Sequence, residues 1–219
     1  MTETARRLKQ IREQLTRLEL DALFIPRADE YLGEYIPVRN ERLRWISGFT
    51  GSAGVVVVMK ERAAIFVDGR YTVQVRKQVP EDLFEILHLV ETPHVEWLVE
   101  QFPAGARIAY DPRMHPFSWQ QEARRTLDKA GIELVETEQN LVDLCWQDRP
   151  AAGADPALLL PESLTGQSSA DKRREIGAAI AEKGAQAALI FAADSCAWLL
   201  NMRGQDVPCL PVVLGFGLL

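Results

Sequence analysis

The chain has 219 residues, enough for one large or two small domains, and its 47% hydrophobic and 26% charged residues are ordinary for a soluble globular protein. A formal net charge of −6 argues against the basic face that sequence-independent nucleic-acid binding requires, so no nucleic-acid partner is expected. No apolar run approaches the ~20 residues of a membrane span. The N-terminus is polar and lacks an apolar signal core, which predicts a cytoplasmic protein without a membrane partner.

Leucine and isoleucine recur at helical spacing near the N-terminus, which predicts an amphipathic helix over about residues 3–19. Thr92 is expected to cap a later helix that begins at Pro93. Strands alternate with helices along the first 135 residues, which indicates an α/β sandwich with a mixed sheet. The strands are predicted at 22–25, 55–59, 63–67, 84–89, 107–110 and 132–135, and the further helices at 41–46, 71–79, 93–102 and 116–130.

Near Asp148 the pattern changes to a stretch rich in proline and alanine without periodicity, typical of an interdomain linker. Ser168-Ser-Ala-Asp171 then has the form of a capping box for a new helix. These features predict a first domain over residues 1–147, a linker over 148–167, and the beginning of a second, truncated domain over 168–219.

The segment after the linker repeats the start of the chain. Lys172 to Asp194 aligns with Arg7 to Asp29 at a constant offset, and Trp198 follows as Trp45 does in the first copy. Val212-Val-Leu214 is predicted to match the strand that begins at Val55. Chance similarity of two helix–strand units is the alternative, but the shared Ala-Asp and tryptophan favour a duplication. The second copy is incomplete and stops in an apolar stretch, so we expect the chain to be a fragment of a longer protein.

The glycine-rich segment over residues 48–54 allows two functional interpretations, a phosphate-binding loop and a serine elbow. A phosphate-binding P-loop needs a lysine and a helix after its last glycine, but an apolar strand follows here. A serine elbow around Ser52 lacks both its first glycine and its helix. The segment is therefore interpreted as a structural turn, and no catalytic residue is predicted.

Metal ligands are also not indicated by the sequence. None of the histidines, His88, His94 and His115, has a partner at a spacing typical of a metal-binding helix. The three cysteines are odd in number and widely spaced, which favours free, mostly buried thiols over a disulfide framework or a zinc site. Glu30, Glu34 and Glu41 lie in a loop-rich stretch and are interpreted as solvated charges.

Arg70, in Asp68-Gly-Arg-Tyr71, is the strongest candidate for a functional residue. The preceding strand is predicted to end at Val67, and α/β sheets present ligand-binding groups at the carboxyl ends of their strands. Gly69 is expected to permit the sharp turn, and arginine offers a planar fork of donors for a carboxylate or a carbonyl. The alternative is a structural arginine paired with an acid such as Asp68, and the pattern alone does not separate the two.

Several motifs occur in a fixed order along the chain. They are Pro26-Arg-Ala-Asp-Glu30, Glu34-Tyr35, Arg42 to Gly54, Asp68 to Tyr71, Asn140-Leu-Val-Asp143, Trp146 to Pro150, Ser169 to Lys172, and Trp198 to Gly204 with Asp206-Val207. This combination resembles the N-terminal part of a three-domain Xaa-Pro aminopeptidase of peptidase family M24, and the resemblance covers nearly the whole chain.

The resemblance implies tandem creatinase/prolidase N-terminal domains with a ribonuclease-H-like motif. It also implies a C-terminal catalytic domain that binds two divalent metal ions of the Mn²⁺ type and cleaves peptides with proline in second position. The metal ligands of the family have no counterpart in these 219 residues, so no cofactor is expected in the fragment itself. An oligomer is possible for the full-length protein.

Carried over to this sequence, the resemblance assigns substrate binding to Arg70, and the fragment would shape the substrate cleft. The rival interpretation is a non-catalytic protein-binding module attached to an inactive peptidase-like domain.

Overall fold

The computed structural model describes residues 1–153 and 155–219, and these form two compact units. The first unit comprises residues 1–32 and 39–150, and the second comprises residues 33–38 and 151–219.

The first unit is built on a six-stranded mixed sheet. Its spatial order is β4-β3-β2-β1-β5-β6, in which β2 runs antiparallel to both neighbours and the other five strands run parallel to one another. All of the carboxyl ends except that of β2 therefore lie along the same edge. The strands are β1 (Ala22–Pro26), β2 (Val55–Met59), β3 (Ala63–Val67), β4 (Glu85–His88), β5 (Arg107–Tyr110) and β6 (Glu133–Glu136).

Helices cover both faces of this sheet. The helices are α1 (Glu3–Arg17), α2 (Arg42–Ser47), α3 (Thr72–Gln78), α4 (His94–Gln101), α5 (Phe117–Lys129) and α6 (Leu141–Cys145). Alternate side chains of the central strands enter two separate apolar clusters, as the two-residue period of a strand requires. Leu23 and Ile25 pack with α1, α2 and α6, whereas Phe24 packs with α4 and α5. The predicted α/β architecture with a mixed sheet flanked by helices is confirmed.

The second unit has smaller sheets. It contains β7 (Leu158–Leu159), α7 (Glu162–Thr165), α8 (Ser169–Glu182), β8 (Leu189–Ile190), α9 (Ala193–Leu200), β9 (Met202–Arg203) and β10 (Gly217–Leu218). β8 pairs antiparallel with β10, and β7 pairs antiparallel with β9. Ser168 caps α8 as predicted, since its Oγ accepts from the backbone N–H of Asp171 at 3.1 Å.

Three details of the secondary structure differ from the prediction. Thr92 does not cap α4, because the helix begins one residue later, at His94, and Pro93 occupies the cap position without a side-chain hydrogen bond. Val212 to Leu214 forms no strand, and the partner of β8 is Gly217–Leu218 instead. Helix α6 was not predicted, since its five residues are too short to show a period, although Asn140 caps it with its side chain.

The predicted linker, residues 148–167, includes β7 and α7, and Ala154 within it lies outside the described residues. The limits 1–147, 148–167 and 168–219 stay a prediction.

Candidate functional site

Arg70 lies directly after β3, on the edge of the sheet where the parallel strands end. Asp68 caps the short 3-10 helix Gly69–Tyr71, with its Oδ1 accepting from the backbone N–H of Arg70 at 2.9 Å. The same carboxylate receives Nε of Arg70 at 3.1 Å and Nη2 at 2.8 Å. These bonds to the charged form, foremost those of the Arg70 side chain, hold the pKa of Asp68 below its usual value.

The Asp68 carboxylate therefore fixes both the turn and the side chain that the turn presents. The Arg70 side chain is nevertheless 64% exposed, while that of Asp68 is 21% exposed. The ion pair foreseen in the structural interpretation of Arg70 is present, and the substrate role of Arg70 stays a proposal.

Gly69 is not what makes this turn. Its backbone does not lie in the left-handed region, and a Cβ built on it would meet only ordinary contact with His88 Nε2 at 3.6 Å. Glycine is therefore compatible with this turn but not required for it. The hydrogen bond from the Arg70 amide to Asp68 supplies the turn instead.

The Tyr71 ring packs against the Arg70 guanidinium. The Arg70 guanidinium carbon lies 5.2 Å from the centre of the Tyr71 ring, a cation–π contact. The Tyr71 hydroxyl is 2.7 Å from Ser52 Oγ, and this hydrogen bond lowers the pKa of Tyr71. Phe49 meets the same ring edge to face at a centroid distance of 5.5 Å. Tyr71 thus joins the arginine turn to the glycine-rich loop over residues 48–54.

The glycine-rich loop is a structural turn, as predicted. Gly48 ends α2 in the left-handed conformation at φ +82°, which favours glycine. A Cβ on Gly51 would lie 2.2 Å from Phe49 Cζ and 2.9 Å from Tyr71 Cδ1, so only glycine allows these rings to pack against the loop. Strand β2 follows the loop, so no helix N-terminus is present to hold a phosphate or to form a serine elbow.

An open cleft of about 530 Å³ lies beside the arginine turn. Its walls come from the residues that flank the turn and from the end of β4 and the loop after it. They are Val67, Thr72, Arg76, Ile86, Leu87, His88, Glu91 and Thr92. A volume of this size is within the range of small-ligand sites.

The edge of the sheet at β1 and β5 is filled by protein side chains. The cavity there has a volume of about 10 Å³, at the lower limit for one water molecule. Arg42 occupies this region and makes a bidentate pair with Asp143 at 2.8 and 2.9 Å, and Arg149 meets the same carboxylate at 2.6 Å. This part of the edge is therefore a structural core, and the ligand-accessible part lies at β3 and β4.

The sequence prediction missed a second arginine turn, after β5. Asp111 receives the backbone N–H and Nε of Arg113 at 3.0 Å each and Nη2 at 2.9 Å. Burial raises the pKa of Asp111, but the hydrogen bonds from Arg113 and Asn140 outweigh burial and leave the pKa lowered. The repeated Asp-x-Arg after a strand was the signal that could have revealed it.

Glu41 is not a solvated charge, contrary to the prediction. Its side chain is 18% exposed and pairs with Arg27 at 3.2 Å, and burial raises its pKa. Among residues 1–153 and 155–219, no group of three or more His, Cys, Asp or Glu side chains is placed to hold a metal ion. No helix in the same residues is long and apolar enough to cross a membrane. Cys145 and Cys196 are buried thiols, and Cys209 is exposed.

Two family models match the chain, and both describe a creatinase/prolidase N-terminal domain. One covers residues 7–144 and the other covers residues 148–219. The chain belongs to this family. The resemblance drawn from the sequence motifs is thereby confirmed.

The curated relatives that the chain matches are described as aminopeptidases. The chain is 34% identical to aminopeptidase P1 of Lotus japonicus over 91% of its own length and 30% of that protein. It is 33% identical to Xaa-Pro aminopeptidase 2 of Homo sapiens over its full length and 33% of that protein. The chain thus spans about a third of the length of the curated relatives that it matches.

Solved structures support the same fold. An X-prolyl aminopeptidase from Caenorhabditis elegans, described as a cytosolic enzyme with a di-nuclear active site, superposes with a TM-score of 0.91 at 28% identity, over 100% of this chain and 38% of that one. The N-terminal domain of the cytoplasmic peptidase PepQ from Mycobacterium tuberculosis matches 64% of this chain and 97% of its own at a TM-score of 0.50 and 22% identity, which indicates the fold alone.

Proposed function

We propose that this chain is the non-catalytic N-terminal part of a metal-dependent Xaa-Pro aminopeptidase, and that it shapes the cleft in which the peptide is held. The full-length protein would release an N-terminal residue that precedes proline. The support is membership of the creatinase/prolidase N-terminal family together with relatives that are Xaa-Pro aminopeptidases about three times as long.

The chain itself contributes binding rather than chemistry. We propose that two divalent ions of the Mn²⁺ type are held by a C-terminal catalytic domain, a proposal supported by the di-nuclear active site described for the Caenorhabditis elegans relative. In the same proposal the domains comprise residues 1–147 and 168–219 with a linker at 148–167, the protein works in the cytoplasm, and the full-length enzyme can form oligomers.

Arg70 is the residue that we assign to the substrate. The observation that carries this assignment is an arginine that hydrogen bonds with Asp68 hold at the edge of the sheet, 64% exposed and beside the open cleft at β3 and β4. An exposed ion pair of this kind contributes only about 0–1 kcal/mol to stability, so folding alone gives little reason for so ordered a guanidinium. The planar fork of donors suits a carbonyl or carboxylate group of a peptide.

The test is Arg70→Ala in the protein that carries the catalytic domain. Loss of one charge-assisted hydrogen bond to the substrate costs about 1.5–3 kcal/mol, so kcat/KM for Xaa-Pro peptides should fall roughly 10- to 150-fold. Arg113→Ala is the matched control, because it removes an arginine from an equivalent turn after β5. Normal kinetics for Arg70→Ala together with a clear drop in melting temperature would show that Arg70 is structural.

The rival function is a protein-binding module on an inactive peptidase-like domain. It is less favoured, since the relatives matched here are described as aminopeptidases. The isolated 219-residue chain should hydrolyse no Xaa-Pro peptide with or without Mn²⁺, whereas the longer protein should do so. A longer protein that is inactive with added Mn²⁺ would favour the rival.

A further inference from the structure

Two strands of the first sheet end in the same hydrogen-bonded device. After β3 the carboxylate of Asp68 receives the backbone N–H, Nε and Nη2 of Arg70. After β5 the carboxylate of Asp111 receives the same three groups of Arg113, at distances that agree within 0.1 Å. The residue between acid and arginine is glycine in one turn and proline in the other, so the carboxylate is the element common to both.

The two turns differ in the burial of the carboxylate and in its other hydrogen bonds. The side chain of Asp111 is 4% exposed, and it also accepts from Asn140 Nδ2 at 2.9 Å, the residue that caps α6. Asp111 therefore ties the turn to the interior. Within residues 1–153 and 155–219, every hydrogen bond that the Asp68 carboxylate accepts comes from Arg70. An acid with this set of contacts acts on the arginine and on little else.

Fixing an arginine before the ligand arrives changes the cost of binding. A free arginine side chain loses much of its rotamer entropy when it is immobilised. Asp68 holds one edge of the guanidinium, and the Tyr71 ring lies 5.2 Å from its carbon, so much of this ordering is complete in the absence of a ligand. Preorganisation of this kind raises affinity because binding no longer has to order the side chain.

We propose that Asp68 is a positioning residue, which holds the Arg70 guanidinium in the orientation that receives the peptide substrate. The inference rests on the proposed function of Arg70 and extends it to the acid that orients it. Asp68 makes no contact with the substrate in this scheme and acts through Arg70 alone.

The experiment is a double-mutant cycle in the protein that carries the catalytic domain. Asp68→Asn keeps an oxygen that can accept from the Arg70 amide, since asparagine is a good capping residue, but it loses the charged pairing with the side chain. An arginine that must be ordered on binding costs about 0.5–1.5 kcal/mol, so kcat/KM should fall about 2- to 13-fold, mainly through KM. In the Arg70→Ala background the same substitution should have no further effect.

The cycle separates this inference from the proposed function. If Arg70→Ala lowers kcat/KM and Asp68→Asn does not, the positioning role of Asp68 is wrong and the function of Arg70 stands. An equal loss from Asp68→Asn in both backgrounds also overturns it, because Asp68 then acts independently of Arg70. If Arg70→Ala has no effect, both proposals fail. Arg113→Ala, with melting temperatures for all variants, controls for the loss of an Asp-x-Arg pair as such.

Discussion

Each unit contains a helix, a strand and a second helix in that order, α1-β1-α2 in the first unit and α8-β8-α9 in the second, and the two share one contact in detail. In the first unit Arg7 Nη1 donates to the Trp45 carbonyl at 2.5 Å, and the Arg7 guanidinium carbon lies 4.9 Å from the centre of the Trp45 ring. In the second unit Lys172 Nζ donates to the Trp198 carbonyl at 3.0 Å and lies over the Trp198 ring at 4.5 Å. The aligned basic residues and tryptophans therefore make equivalent contacts.

The units differ in how much apolar surface these matched elements bury. Ile11 of α1 is fully buried, whereas its counterpart Ile176 of α8 is 36% exposed. Helix α1 packs on a six-stranded sheet, while β8 and β10 contribute two residues each. The apolar cluster of the second unit centres on Ala197, Val207 and Val212. A shared pattern thus produces the same local elements, but burial depends on how many strands are present to cover them.

The largest expected effect comes from the matched isoleucines. Ile11→Ala should lower the unfolding free energy of the first unit by about 2–5 kcal/mol, because it leaves a cavity in a close-packed core. Ile176→Ala should change that of the second unit by less than about 0.5 kcal/mol, as is usual for exposed positions. Hydrogen exchange at amides of β1 and α9 reports the two units separately in one protein. Similar losses at both positions would contradict the difference in burial.

Much of the first unit was predictable because its strands are apolar runs bounded by turn residues. The runs that begin at Val55 and Ala63 show the hairpin directly in the sequence. The second unit was less predictable. Val212-Val-Leu214 has the composition of a strand, yet the chain pairs through Gly217–Leu218. Two-residue strands carry too little periodicity to fix their position from sequence.

The candidate site was predictable in place but not in mechanism. The end of β3 at Val67 located Arg70 at the sheet edge, since strand ends can be read from composition. The sequence suggested that Gly69 makes the turn, whereas the Asp68 side chain does so. Whether the Asp68 carboxylate bonds the Arg70 amide as well as its side chain depends on the rotamers of both residues, which a linear pattern does not contain. The ion pair between Arg42 and Asp143 joins residues 101 apart, and no sequence pattern predicts it.

A second difference between the units is how their stability depends on pH. All three histidines of the chain lie in the first unit, where burial lowers the pKa of His94 to about 4 and that of His115 to about 3. Both rings stack against Trp119, and His115 Nε2 is buried without a hydrogen-bond partner among the described residues. The native state keeps both rings neutral. Their contribution to the stability of the folded unit is therefore complete above about pH 6.5, and it is lost below that pH as the unfolded chain takes up protons.

The free energy of unfolding of the first unit should therefore fall by about 2 kcal/mol for each of these two histidines between pH 8 and pH 5, as the pKa differences require. His115→Gln should remove its share of this slope, whatever its effect on stability at pH 8. The second unit has no histidine and should show no such loss over this range. Denaturant titrations of the wild type and the variant at both pH values, with each unit followed by hydrogen exchange, would measure the slopes. Equal slopes for wild type and variant would mean that His115 is protonated in the native state.

The smallest expected effect concerns the matched basic residues. Lys172 is buried, and its ammonium group also donates to Asn201 Oδ1 at 2.6 Å. Lys172→Met keeps the apolar stem but leaves this oxygen and the Trp198 carbonyl without their donor, which costs about 1–2 kcal/mol. Arg7→Met should cost about 1 kcal/mol or less, because Arg7 is partly exposed and water can replace it at the Trp45 carbonyl. In a unit with so small an apolar cluster, the loss at Lys172 is also the larger fraction of the total stability.

Hydrogen exchange of α9 in Lys172→Met and of α2 in Arg7→Met compares the two losses of stability. A greater loss in Arg7→Met would show that the shared contact matters more where the core is large.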